Sequence, residues 1–239
     1  MTYWLRWLFD AVFPAGCGGC DTLLPPAHLS GLCATCRALM SPPPPPLCLT
    51  CGLPLGTSDR PCPGCRRRPP AFTTARASAL YLPSLTGLNP LATAVRRLKY
   101  ERRRAIAEAL GELLAERYPF APDALLVPVP LHRARLRARG FNQALLLARA
   151  LGRRRGLAVA GTALVRIRPT PAQTGRSAAA RRVNLSAAFA APDAGSLRGR
   201  PVVLVDDVLT TGATADACAR VLLAAGAERV DVYTVGRVP

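Results

Sequence analysis

Val202-Val203-Leu204-Val205-Asp206-Asp207-Val208-Leu209-Thr210-Thr211-Gly212-Ala213-Thr214 is the stretch whose reading decides the fold. Four consecutive apolar residues, three of them β-branched, describe a strand covered on both faces. Two carboxylates stand at its C-terminal edge, where open α/β sheets hold their ligands. A loop of small, hydroxyl-bearing residues then leads into an Ala-rich helical stretch. Backbone N–H groups, threonine hydroxyls and a positive helix terminus converge on that loop, which makes it a cradle for phosphate. The neighbouring acids suit ribose hydroxyls and a magnesium ion. A Walker B strand also ends in acids, but its partner loop G-x-x-x-x-G-K-[ST] is absent, and the single lysine, Lys99, lies in another context. A phosphoreceiver fold needs more chain after the acids than residues 208–239 supply. A strand and loop of purely structural role has no need of Asp-Asp followed by Thr-Thr-Gly-x-Thr.

Working outward, the pattern alternates. Strands are expected over residues 75–82, 124–129, 162–167, 201–205 and 229–235, and helices over 90–118, 140–155 and 213–225. Such alternation implies an α/β domain, a parallel sheet with helices on both faces. The helix over 90–118 carries a basic cluster of Arg96, Arg97, Lys99, Arg102, Arg103 and Arg104. No internal repeat appears beyond the cysteine pairs described next.

Eight of the nine cysteines form four Cys-x-x-Cys pairs: Cys17/Cys20, Cys33/Cys36, Cys48/Cys51 and Cys62/Cys65. Each pair points two thiolates at one tetrahedral ion, and two pairs joined by a short arm complete a four-sulfur shell. The arms, 12 residues from Cys20 to Cys33 and 10 from Cys51 to Cys62, suit small zinc ribbons. Disulfides would suit a secreted chain, and no signal peptide is evident. A redox Cys-x-x-Cys normally occurs once, beside a βαβ unit. The regular pairing favours zinc over an iron–sulfur cluster. First-with-second and third-with-fourth is the simplest pairing; a crossed one, first with third, stays open. The segment has little apolar core, so metal is its expected main stabiliser. His28 in the first arm is an alternative ligand, but the four pairs suffice. The ninth cysteine, Cys218, reads as a small core residue of a helix.

The remaining features fill in the organisation. Met1–Pro14 reads as an amphipathic helix, too short and too interrupted by Arg6 and Asp10 to span a bilayer. No integral membrane segment is expected, and the location is expected to be cytoplasmic. Ser41–Pro46 is a stiff proline spacer, and Arg66-Arg67-Arg68-Pro69-Pro70 closes the cysteine region. The division is therefore 1–70, an N-terminal helix and double ribbon, and 71–239, the α/β domain. The formal charge is +18, with 31 of the 32 basic residues arginine. Eight thiolates holding two zinc dications would bring it to about +14, still strongly basic. That excess favours phosphate-rich partners.

These residues carry a family resemblance. Residues 202–214 are similar to the 5-phosphoribosyl-1-pyrophosphate (PRPP) motif of type I phosphoribosyltransferases. Leu126-Val127-Pro128-Val129-Pro130-Leu131-His132, Arg139-Gly140-Phe141-Asn142-Gln143, Arg97-Leu98-Lys99-Tyr100, and Thr170–Gly175 with Arg181, Arg182 and Asn184 resemble the ComF family in particular. So do the four leading cysteine pairs, and the resemblance covers nearly the whole chain. It implies a type I phosphoribosyltransferase fold behind a four-cysteine zinc-ribbon module. Asp206 and Asp207 would contact the ribose hydroxyls, and Thr210, Thr211, Gly212, Ala213 and Thr214 would hold the 5-phosphate. Pro128, Val129, Pro130 and Arg133 would belong to the pyrophosphate loop, with Arg135, Arg137 and Arg139 near the diphosphate charge. Gln173–Asn184 would be a mobile lid. Arg97, Lys99, Arg102, Arg135 and Arg137 are candidate phosphate or nucleic-acid contacts. Lys99 reads equally as a surface lysine, and His132 either touches the diphosphate or caps a helix.

In such transferases magnesium neutralises the pyrophosphate as it leaves the anomeric carbon, and the protein positions and stabilises charge. The chain ends just after its last strand, so a C-terminal hood that would choose the acceptor is not expected. The ComF resemblance implies a second function class: handling of single-stranded DNA during natural transformation, with uptake-machinery proteins as possible partners. A base-salvage transferase is the alternative, and it would consume PRPP with one particular base.

Overall fold

The computed structural model describes residues 16–25, 31–56, 61–82, 89–168 and 187–239. The expected helix at Met1–Pro14, His28, and the Gln173–Asn184 segment with the rest of the 170–184 motif lie outside the described residues. Strands β1 (Ala75–Leu80), β2 (Leu125–Pro128), β5 (Pro201–Leu209) and β6 (Arg229–Arg237) form one parallel sheet in the order β1-β6-β5-β2. A separate antiparallel pair joins β3 (Val165–Arg166) to β4 (Phe189–Ala190). Val159 adds a parallel bridge to Leu126 and so extends the β2 edge.

The apolar run predicted as the deciding strand is the sheet's buried interior. Successive side chains alternate between faces. Val203 and Val205 join one cluster with Leu98, Leu110, Leu147 and Tyr233, while Val202 and Leu204 join the other with Val127, Cys218 and Leu222. Cys218 is a core residue, as expected, and burial pushes its thiol up. The Tyr233 hydroxyl lies at the centre of the first cluster, bonded to Ser78 and to the Leu114 carbonyl at 2.9 Å.

Several expected elements differ from those observed. The helix expected over 90–118 is two helices, α3 (Pro90–Tyr100) and α4 (Ala105–Glu116). The break falls at Arg102, whose φ of 56° is left-handed. Tertiary contacts hold it there: Arg103 reaches the Gly16 carbonyl, and Arg102 donates to the Ala138 carbonyl at 3.0 Å. The helix expected from Gly140 begins at Gln143 (α6, Gln143–Arg155) behind an Asn142 cap. Gly140 instead closes an unpredicted helix, α5 (Arg133–Arg139), at φ 81°. The strand expected over 201–205 runs on to Leu209, because β6 continues alongside and pairs Val208 with Gly236 and Leu209 with Arg237. The two carboxylates therefore stand within the strand and not after it. The strand expected over 162–167 shrinks to two residues. Helix α7 (Ala213–Ala224) follows the small-residue loop as expected.

Two short helices, α1 (Ala34–Ala38) and α2 (Pro63–Arg67), belong to the cysteine module, which packs on the domain at two places. Its first ribbon sits on α3 and α4: Arg97 donates to the carbonyls of Cys17 and Gly18 at 3.0 and 3.2 Å. Its second ribbon and spacer cover the outer edge of β1, whose Ala75 and Leu80 N–H groups donate to Thr50 and Ser41 at 2.6 and 2.9 Å. An exposed sheet edge is thereby paired. No helix among the described residues is long and apolar enough to cross a membrane.

Candidate functional site: paired zinc centres and an acidic strand end beside a phosphate-type loop

The cysteines gather into two sets, Cys17/Cys20/Cys33/Cys36 and Cys48/Cys51/Cys62/Cys65, with all sulfurs of a set within 4.8 Å of one another. This is the sequential pairing; the crossed alternative is excluded. Cys20 and Cys33 sulfurs are 3.8 Å apart, as are those of Cys51 and Cys62. A tetrahedron with zinc–sulfur bonds of about 2.3 Å has edges of nearly that length. Backbone N–H groups point at the sulfurs, among them Cys33 and Gly19 onto Cys17 and Cys62 onto Cys48. Gly19 must be glycine, since a Cβ there would meet the Cys36 sulfur at 2.7 Å. The sulfurs divide in character. The Thr22 hydroxyl lowers Cys20 to about 6. Burial opposes ionisation of Cys48, but the N–H groups of Cys51, Cys62 and Thr50 outweigh it and bring the thiol down to about 6. Burial, reinforced by neighbouring thiols, pushes Cys36 and Cys65 up. A dication is what allows four such sulfurs to ionise together. The donor set fits zinc, and these are two zinc-binding sites.

The carboxylates diverge, as neighbours in a strand must. Asp207 faces the α3 side and is nearly buried, with 5% of its side chain exposed. Its partner is Lys99, the chain's one lysine, from the last turn of α3. Beyond that ammonium, Asp207 Oδ2 has no hydrogen-bond partner. Asp206 faces the Cys218 side and accepts from the Asp207 N–H at 2.9 Å. Burial, then the charge of Asp207, raises its carboxyl well above the usual carboxylate range. A carboxylate held this way gains from any cation or hydroxyl donor brought to it.

Next comes the loop. Thr210 and Thr211 are exposed, and Gly212 takes φ 78° at the start of α7. No side chain caps that helix; the nearest substitute is a 3.4 Å contact from the Ala213 N–H to the Thr211 hydroxyl. Its first N–H groups are thus open to an anion. On the neighbouring strand, the Val129 N–H donates to Val205 at 2.9 Å, so Pro128, Val129 and Pro130 leave the sheet beside Asp206. His132 caps α5 through Nδ1, accepting from the Ala134 N–H at 3.3 Å, as the capping alternative expected.

The basic residues divide. Arg133 lines a cavity of about 720 Å³ with Arg104, Arg149, Arg166, His132 and Asn142, and none of its lining residues is acidic. Arg135 and Arg137 are exposed on α5. Arg139 is otherwise engaged, bonded to Gln143 at 2.5 Å and lying over the Tyr100 ring. Arg97, expected among the phosphate contacts, is instead a clamp on the first ribbon, bonded to Asp21 as well as to Cys17 and Gly18. Arg102 bridges to Ala138. Lys99 is not a plain surface lysine: it is part-buried and stands as the counter-ion of Asp207. Sequence reasoning missed Arg149, Arg166 and Arg237; the last is a buried cation at the end of a strand that also carries Arg229, Asp231 and Thr234, so nothing local singled it out.

The parallel sheet, the acidic strand end and the open loop define a phosphoribosyltransferase-type domain carrying a double zinc ribbon. Family models agree: residues 100–239 match the phosphoribosyl transferase domain and residues 8–66 the double zinc ribbon domain. The chain is 36% identical over 236 residues to the DNA utilization protein YhgH of Salmonella typhi, covering 94% of this chain and 97% of that one. The YhgH protein of Escherichia coli strain K12 is likewise 36% identical, over 233 residues, with the same coverage. Competence protein F of Haemophilus influenzae is 31% identical over 219 residues, covering 87% of this chain and 91% of that one. The chain belongs to the ComF family of phosphoribosyltransferase-domain proteins with an N-terminal double zinc ribbon.

Proposed function

We propose that the chain binds PRPP with magnesium at the C-terminal ends of β5 and β2, and that this site serves the handling of single-stranded DNA. The observation that carries the first half is the placement of Asp206 and Asp207 near the end of β5, separated by two residues from the exposed Thr210 and Thr211 and the uncapped helix that starts at Ala213. In this reading the loop's N–H groups and hydroxyls take the 5-phosphate and the acids orient the ribose hydroxyls. Pro128–Arg133 flank the diphosphate. Magnesium, when bound with the ligand, would neutralise diphosphate charge. The carboxyl of Asp206, raised well above the usual carboxylate range by burial and then by the charge of Asp207, is suited to a neighbourhood that gains a cation.

The second half is supported by the arginine-lined cavity beside the diphosphate loop and by the relatives named for DNA utilization and competence. Four guanidiniums with no acid among the lining suit a backbone of phosphates, and the apolar floor of Leu136, Leu145 and Leu146 suits the sugars and bases between them. Uptake-machinery proteins are the partners this role implies, and the cytoplasm its location. A labelled oligothymidylate titrated by fluorescence anisotropy tests it. Affinity should fall steeply with salt, with a slope of about −0.7 per phosphate contacted. The Arg133→Ala, Arg149→Ala double variant should flatten that slope by about one to two contacts. A slope unchanged in the double variant would remove the cavity from the DNA path.

A further inference from the structure

We infer that Arg237 is a positioning residue through which the second zinc centre sets the geometry of the phosphate-type loop; the inference rests on reading Thr210–Thr214 as the 5-phosphate site. Arg237 ends β6 and is 7% exposed. A buried guanidinium needs either a counter-ion or a full set of acceptors. Here the acceptors come from two functional segments at once. Nε donates to the Cys51 carbonyl at 3.2 Å. Nη1 donates to the carbonyls of Leu209 and Thr210 at 3.1 and 2.8 Å, and also to Val238. Nη2 lies 4.0 Å from the Cys51 sulfur. With zinc bound, that sulfur is a thiolate, so a metal ligand supplies negative charge 4.0 Å from this cation. One planar side chain therefore spans a zinc knuckle and the first residues of the loop.

Other contacts run the same way. The knuckle's Gly52 packs so closely on β1 that a Cβ would meet the Ala75 carbonyl at 2.5 Å. The chain leaving the ribbon returns to the loop: the Phe72 ring lies beside Gly212, and the Ala71 N–H donates to Asp216, in the first turn of α7, at 2.7 Å. The first ribbon supplies an internal contrast. Its clamp, Arg97, bonds Cys17, Gly18 and Asp21, all within the first ribbon and away from the loop. Such coupling is reciprocal. Zinc in the second site holds the loop ready, and an occupied loop holds that zinc more firmly.

The test uses the zinc-loaded full chain in two measurements. Hydrogen exchange reports the loop peptide covering residues 209–214 without any ligand, and zinc release to a chromogenic chelator is followed with and without PRPP and magnesium. In the wild type, PRPP should slow release of one zinc ion of the two by roughly fivefold or more. Arg237→Lys, which keeps the charge but not the fork, should abolish that slowing and speed exchange in the loop about tenfold, while releasing the first zinc unchanged. Arg237→Leu should do so more fully, and if it does not fold, the lysine variant and the wild-type release rates decide. Loop exchange in Arg237→Lys equal to wild type, or zinc release indifferent to PRPP that calorimetry shows bound, would overturn the inference. Faster loop exchange in the variant together with no PRPP binding by the wild type would uphold the bridge and instead discard the reading of the loop.

Discussion

Replacing Cys48 with serine is expected to lower the zinc content from two ions per chain to one and to unmake the second ribbon. Among the described residues of 47–67, the sulfur set and the close approach of Gly52 to β1 supply the tight packing. Cys48, Gly52 and Cys62 are the buried residues described there, while Leu49 is more than half exposed. Zinc binding to such a shell supplies about 10–16 kcal/mol, against a module with almost no apolar core. The damage should spread. Thr50 pairs with Ala75 at the edge of β1, and Arg237 rests on Cys51, so limited proteolysis should cut near residues 48–75 in the variant while leaving α6 and α7 intact. Cys218→Ala, in the core of α7, serves as the control and should keep two zinc ions. Elemental analysis decides it: two ions retained in Cys48→Ser would remove that residue from the shell.

Lys99→Met is the second large effect. Asp207 is buried, and its Oδ2 has no partner besides the Lys99 ammonium. Taking away one member of a buried pair leaves an uncompensated charge and costs about 3–5 kcal/mol. Lys99 keeps some solvent access, 23% of its side chain, so the lower end, about 3 kcal/mol, is expected. For a chain of this size that is roughly a 10 °C drop in Tm. Adding Asp207→Asn should recover much of the loss, because the charge that needed a partner is gone. A double-mutant cycle in denaturant gives the coupling directly. A loss under about 0.5 kcal/mol in Lys99→Met would mean that the pair is solvated and that α3 does not fix Asp207.

The contrast between Lys99 and Arg97 shows what the sequence could and could not reveal. Both lie in one basic cluster, and charge alone made both candidates for phosphate. Their two positions differ by about 200° around the helix, so one turns to the sheet and the other to the first ribbon. Nothing local distinguishes them until the ribbon and sheet are in place. The deciding strand was readable because four apolar residues and a following acid pair are a local pattern. Its true end at Leu209 was not, because the extra pairs come from β6, a distant segment. The cysteine spacing foretold two four-sulfur shells, and only the fold could choose between sequential and crossed pairing. Helix α5 was hidden by its composition of alternating arginines, although the His132 cap and Gly140 stop were its boundary signals. Arg237 was invisible for the same reason that the β5 end was: its partners are more than 25 residues away along the chain, at Leu209, Thr210 and Cys51.

PRPP is assigned to residues 206–214, and calorimetric titration of the zinc-loaded chain with PRPP and magnesium tests that assignment most directly. Saturable one-to-one binding is predicted for the wild type. The Asp206→Asn, Asp207→Asn double variant should lose at least about 100-fold in affinity, two charged hydrogen-bonding groups being worth about 1.5–3 kcal/mol each. Asp206→Asn removes a carboxyl that burial disfavours as an anion, whereas Asp207→Asn leaves Lys99 without its partner, so circular dichroism of the variant must show it folded alongside the titration. Absence of binding in folded wild-type protein, or equal binding by the variant, would contradict the assignment of PRPP to this strand and loop.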